Sequence, residues 1–193
     1  MTLIAIIALV LVAGYVISVY NFFQTGKTRI EASIQEIGNQ LKRQADLIPN
    51  LEASVKGYLK HEKDILKALA DARKQVTEAV QSGSVEAQAK ASDALSQVLP
   101  KLSVVVESNP QLKGSETVTK LMEELRDTAD KVMYARRTLI DLVADYNTKV
   151  VTFPSNLVAK LFHIQKQAGL KVTDMESATT VSAAETQSPK INL

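Results

Sequence analysis

For its first 26 residues the chain carries no charged side chain, and residues 3–19 are apolar apart from Gly14, Tyr15 and Ser18. A helix over residues 3–23 would be about 32 Å long, close to the roughly 30 Å of hydrocarbon in a bilayer. The segment predicts a transmembrane helix, with Tyr20, Phe22 and Phe23 at one interface, where amphipathic rings settle. A cleaved signal peptide is the rival reading, since Val12-Ala13-Gly14 offers small residues to a peptidase. The run lacks a basic stretch before it and stays apolar beyond that site, which favours a retained anchor. Lys27, Arg29, Lys42 and Arg43 follow the span, while only the terminal amine precedes it. The positive-inside bias then puts the N-terminus outside and the body in the cytoplasm.

The chain's 193 residues leave room for one domain of ordinary size. With 23 Lys and Arg against 21 Asp and Glu, the net charge of +2 gives no field suited to nucleic acid. Having 0 Cys, the chain forms no disulfide, thiolate metal site, thiol nucleophile or lipidated cysteine. Only 7 Gly, 5 Pro and 5% aromatics among 46% hydrophobic residues suit long helices better than sheets.

Apolar spacing supports that class. Ile30, Ile34, Ile37 and Leu41 step by four and three, one stripe of a helix continuing from the span. Pro49 removes an amide donor and disfavours helical geometry at Ile48. The stretch from Asp46 to Asn50 is therefore a tight turn or a kink. The turn is favoured, because proline suits the first position of a second helix. That second helix would carry Val55, Leu59, Glu62, Leu66, Leu69, Arg73, Val76 and Val80 in one seam. Ser82-Gly83-Ser84 ends it and caps a third, which bears Ala91, Leu95, Val98, Leu102 and Val105 and stops near Asn109-Pro110. Pro100 predicts a kink there. After Gly114-Ser115 the longest helix repeats the period through Val118, Met122, Leu125, Ala129, Val132, Arg136, Leu139, Val143, Tyr146 and Val150. Phe153-Pro154 breaks it, and residues 156–168 read as a short amphipathic helix.

The expected fold is all-α: an N-terminal transmembrane helix followed by an antiparallel up-and-down four-helix bundle. Residues 1–26 form the anchor and 27–169 the bundle. Residues 170–193, rich in Ser, Thr, Ala and Glu, are expected to be a disordered tail.

Four charges carry the chemical interest. Glu62, Arg73 and Arg136 stand in or beside apolar stripes, and Glu107 lies near the end of the third. A buried charge must find a partner or reach solvent along its stem. These four are read as an interhelical polar network that fixes register. A ligand site between helices is the alternative. A dry, paired network would favour a structural role, and an open pocket with converging charges would favour binding. Gly26-Lys27-Thr28 imitates the end of a phosphate loop, but Asn21 stands where the motif needs glycine. His61 and His163 have no Cys partner and no carboxylate at i−3, so no metal or other cofactor is expected. A serine nucleophile elbow is missing from the sequence, and Met122 and Met133 read as core fillers.

The run Gln40-Leu41-Lys42-Arg43-Gln44-Ala45-Asp46-Leu47-Ile48-Pro49-Asn50-Leu51, followed by Val55-Lys56-Gly57-Tyr58-Leu59-Lys60-His61-Glu62 and Ala72-Arg73, resembles the LemA family of bacterial membrane proteins. Glu107, Asn109-Pro110-Gln111-Leu112-Lys113, Ala135-Arg136, Tyr146-Asn147, Phe153-Pro154 and Pro189-Lys190-Ile191 extend the resemblance over nearly the whole chain. Departures are local: Leu139-Ile140, Asn109 and Ala129 stand where the family usually has Tyr-Asn, Tyr and Glu. The resemblance implies an anchored antiparallel bundle and no particular reaction. Some relatives are lipoproteins, a route that needs a cysteine this chain lacks.

The expectation is a non-enzymatic, membrane-tethered scaffold or interaction protein of the bacterial inner membrane. It is held in the lipid bilayer through residues 3–23 and serves unidentified protein partners, with no nucleic acid and with a homo-oligomer allowed. The alternative is an anchored ligand-binding or sensor bundle with a charged interhelical site.

Overall fold

The computed structural model describes residues 1–58 and 63–169. All regular structure among them is helical: α1 (Thr2–Val55), α2 (Lys63–Ser82), α3 (Val85–Ser108), α4 (Pro110–Lys113), α5 (Glu116–Val151) and α6 (Ser155–Leu161). The expected tail, 170–193, lies outside the described residues, as do Leu59, His61 and Glu62.

The turns follow the local chemistry expected of them. Gly83 takes φ 64°, and the Ser84 hydroxyl accepts from the Ala87 amide at 3.3 Å to start α3. Asn109 accepts from the Gln111 and Leu112 amides at 3.1 and 3.4 Å, with Pro110 opening α4. Ser115 caps α5 through the Val118 amide.

Pro49 does not make the expected turn. It lies inside α1, which runs unbroken for 54 residues, about 80 Å, through the expected anchor boundary and on to Val55. The physical reason is burial: Leu41, Ile48, Leu51 and Val55 are each 0% exposed, and Ala45 and Ile37 join them. Five large apolar side chains at roughly 1.5–3 kcal/mol each outweigh the approximately 3 kcal/mol cost of an internal proline. The chain leaves the helix one stripe later, at Lys56 to Tyr58, where Gly57 stands. Val55 therefore closes α1 instead of opening the second helix.

Antiparallel pairing of α1 with α5 is the backbone of the fold. Three contacts set its register. The Phe23 and Tyr146 rings meet edge to face at 5.2 Å, the Ser33 hydroxyl donates to the buried Ala135 carbonyl at 3.0 Å, and Arg43 lies 3.5 Å from Glu124. Tyr146 lies directly against Gly26, where a Cβ would come within 3.0 Å of its ring. Helices α2 and α3 form a hairpin packed on α1, with its Gly83 turn beside Ile34, Gly38 and Lys42. Four helices therefore surround the core from that level to the far end, and α1 with α5 continues as a two-helix stalk toward the apolar end.

The short helix expected over residues 156–168 is α6 alone. His163 takes φ 51° and turns the chain back along α5. There Asn147 holds Gln167 with two hydrogen bonds, donating to its carbonyl at 2.9 Å and accepting from its amide at 2.8 Å.

Candidate functional site

The charged seam expected in the bundle is displaced by one position from the core. On α2 the buried residues are Leu69, Ala72, Val76 and Ala79, which leaves Arg73 a further 100° round the helix and exposed. On α5 the buried stripe against α1 runs Val118, Leu125, Thr128, Val132, Ala135, Leu139, Val143 and Tyr146. Arg136 stands at its edge, half-buried, facing α3. Glu107 is exposed near the end of α3, and Glu62 lies outside the described residues.

Arg136 pairs across the seam with Asp93 of α3, Nη1 to Oδ1 at 2.6 Å. It does not pair with Glu107. The Arg136 side chain keeps 28% of its exposure and that of Asp93 keeps 51%, so the pair is wet on one side. Such a pair contributes up to about 1 kcal/mol. We therefore expect Arg136→Met to lose no more than that in urea denaturation, and Arg73→Met to stay within about 0.5 kcal/mol of wild type. A loss near 3 kcal/mol at either position would restore the buried network.

Two turns of α3 beyond Asp93, the same α3–α5 seam opens into a cleft of about 360 Å³ lined by Ser96, Leu99, Pro100, Ser103, Met122, Arg126 and Ala129. Pro100 leaves the Ser96 carbonyl without its i+4 amide donor. Arg126 Nη2 donates to Ser103 Oγ at 3.3 Å across the cleft. One arginine with a neutral partner is not a convergence of charges. Asp93, Ser103 and Arg126 had no distinguishing signal in the sequence, because their meeting depends on the rotation of α3 against α5.

The interior carries its own polar groups: Gln44 and Gln88 are 2% and 4% exposed, and Thr128 is 0% exposed with its hydroxyl donating to the Glu124 and Leu125 carbonyls. Gly38 makes room for the Gln88 amide, which sits about 3.4 Å from where a Cβ would stand. Of these and Ser33, only Ser33 bonds to another helix, so it alone carries the register role first attributed to the charges; the Gln44 and Gln88 Oε1 atoms are buried without a partner among the described residues.

The second groove lies at the apolar end. Leu11, Val12, Tyr15 and Val16 of α1 face Pro154, Leu157, Val158 and Leu161 around a space of about 500 Å³. All 4 phenylalanines of the chain, Phe22, Phe23, Phe153 and Phe162, belong to this end. Tyr20 meets Phe162 at 4.9 Å, and the Lys149 ammonium sits 5.5 Å from the centre of the Phe22 ring. The sequence did signal this cluster: residues 150–162 contain one charged side chain, Lys160.

The sequence pattern of the LemA family matches residues 33–183, which begins after the apolar segment and takes in the bundle from Ser33 of α1 through α6. No curated protein matches the chain.

Proposed function

The chain belongs to the LemA family, and from that premise we propose that it is a membrane-tethered, non-enzymatic scaffold whose bundle is presented to protein partners on a rigid stalk. The observation that carries the reading is the state of the first turns of α1. Leu3, Ile4, Ile6, Ile7, Leu9, Val10, Leu11, Val12 and Ile17 are all exposed, on every side of a helix long and apolar enough to cross a membrane. A core helix of a water-soluble protein would bury those residues against its own chain. Here only Val16, Val19 and residues after them are drawn into packing. Lipid is the natural solvent for the rest, and a cleavable leader would not share core contacts with the mature body.

For partners, the stalk offers Met133, Tyr134 and Ile140 on the outer side of α5, exposed at 65%, 75% and 42% beside Arg137. Aromatic, Met and Arg side chains are the types enriched in binding interfaces. The basic residues that follow the apolar run, by the positive-inside bias, support a cytoplasmic bundle beneath the inner membrane of a bacterial cell as part of this reading.

Two measurements in intact cells test this reading. Gln81→Cys, beside the α2–α3 turn, should resist an impermeant maleimide until the cells are lysed. A photo-crosslinking residue at Tyr134 should give discrete protein adducts that one at Lys74 does not. Labelling from outside overturns the orientation. An absence of adducts at Tyr134 overturns the choice of interaction face.

A further inference from the structure

The corner between α5 and α6 sits at the same level as the apolar run. Continuing the α1–α5 register set by Phe23–Tyr146 and Ser33–Ala135 brings Phe153 to the level of Val16. Pro154 and Leu157 do line one groove with Leu11, Val12, Tyr15 and Val16. Val16 and Leu11 are about 10 and 18 Å beyond Phe23 along α1. Yet the corner turns large apolar side chains outward: Phe153 is 78% exposed, Leu161 67%, Leu157 57% and Phe162 44%.

Resting on the anchored reading above, we propose that residues 151–162 form a re-entrant hairpin embedded in the bundle-side leaflet of the bilayer, its outer face covered by lipid acyl chains.

Three independent features fit that occupant. The first is depth. If residues 3–23 fill the roughly 30 Å hydrocarbon layer, the corner reaches from the half nearer the bundle down to about the midplane, with no water beside Leu157. The second is polar bookkeeping, because non-helical backbone is tolerated at membrane depth only where its polar groups are satisfied by protein. Ser155, 2% exposed, donates to the Lys149 and Thr152 carbonyls at 2.6 and 2.9 Å. The Asn156 amide donates to the Thr152 carbonyl at 2.8 Å, the Leu157 amide donates to that of Pro154 at 3.2 Å, and Pro154 has no amide to satisfy, which leaves the buried Asn156 Oδ1 as the polar side-chain atom of the corner without a partner among the described residues. The third is the boundary. Tyr20, Phe22 and Phe162 ring the stalk where the charged surface begins, and Lys149 and Lys160 have aliphatic stems long enough to carry their ammonium groups toward the headgroups.

Because the chain has 0 Cys, single cysteines can be introduced into the full-length protein without further changes. Leu9→Cys, Phe153→Cys, Leu157→Cys, Leu161→Cys and Gln97→Cys would each be spin-labelled and reconstituted into phosphatidylcholine–phosphatidylglycerol vesicles. Collision rates with oxygen, which concentrates in hydrocarbon, are then compared with those of a water-soluble nickel chelate. The proposal requires oxygen to dominate at Leu157, Leu161 and Phe153 as it does at Leu9, and nickel to dominate at Gln97. Nickel dominance at the three corner sites with oxygen dominance at Leu9 keeps the anchor and overturns the hairpin. Nickel dominance at Leu9 overturns the anchor itself. Low collision with both, together with spin–spin broadening that fades on dilution with unlabelled protein, means that a second copy covers the face, and also overturns the proposal. All three corner positions are exposed, so a variant that misfolds at one is replaced by its neighbour.

Discussion

Phe23→Ala should cost about 3–5 kcal/mol of stability, the range for emptying a buried aromatic site, although Phe23 belongs to the uncharged segment that a simple anchor would lend to lipid. The side chain is 1% exposed, with its ring edge to face against Tyr146 and 5.8 Å from that of Phe22. An aromatic pair adds about 0.5–1.5 kcal/mol beyond the area it buries. Its neighbourhood has little freedom to collapse, because Tyr146 already lies on the bare backbone of Gly26. Leu9→Ala is the matched control. Leu9 is 70% exposed and lies outside the core, so its truncation should leave the unfolding transition where it was. Unfolding in mild detergent micelles, followed by helical circular dichroism, reads both. Equal effects at the two positions would mean that residues 1–26 and the bundle are mechanically separate.

Deletion of residues 1–26 should release the protein from membranes and split its stability into two parts. The four-helix end retains its core: Leu41, Ile48, Leu51, Leu69, Leu95, Leu102 and Leu125, each no more than 1% exposed, touch nothing that is removed. That end should remain helical and melt cooperatively. The stalk end loses Val16, Val19 and Phe23, against which Tyr146, Val158 and Ala159 are buried. With α6 resting on half a surface, the corner keeps its local bonds and the Asn147–Gln167 pair but loses its packing on α1. Trypsin should therefore cut first at Lys160 and Lys166, sites that the full-length protein in vesicles is expected to protect, since proteolysis follows local opening. A fragment that shows no cooperative transition would make the anchor a condition of folding the whole bundle. One that protects Lys160 as well as the intact chain does would leave the α1–α6 contacts without consequence.

The features legible in the sequence were those governed by neighbours along the chain. Ser84, Asn109 and Ser115 cap helices because a side-chain oxygen two or three residues from an amide needs no tertiary help, and Gly83 can take positive φ at no steric cost. Pro49 misleads for the complementary reason. Its cost is local, but the burial that overrides it belongs to the packing of α1 against α2 and α5. The charged seam went astray by a single helical position. Spacings of three and four fit two adjacent stripes on α2 equally well, and the stripe through Ala72 and Ala79 wins over the one through Arg73 and Val80 because alanines allow close approach while the arginine keeps its hydration. Asp93 as the partner of Arg136 was out of reach, since nothing local to α3 indicates which side of it meets α5. The clustering of Phe22, Phe23, Phe153 and Phe162 was visible in pieces, as two aromatic–apolar patches, and needed the antiparallel register to join them.

The central claim is that one unbroken helix carries the bundle from the apolar segment to its far end. The most direct measurement is a pulsed-EPR distance between spin labels at Glu31 and Ala53, two exposed positions of α1 on either side of Pro49, in the full-length protein in lipid vesicles. A continuous helix separates their backbones by about 33 Å. A turn at Asp46 to Asn50 would fold residue 53 back beside the helix it left and shorten the distance to about 18 Å. A narrow distribution near the longer value is the predicted result, and a dominant population near the shorter one would contradict it.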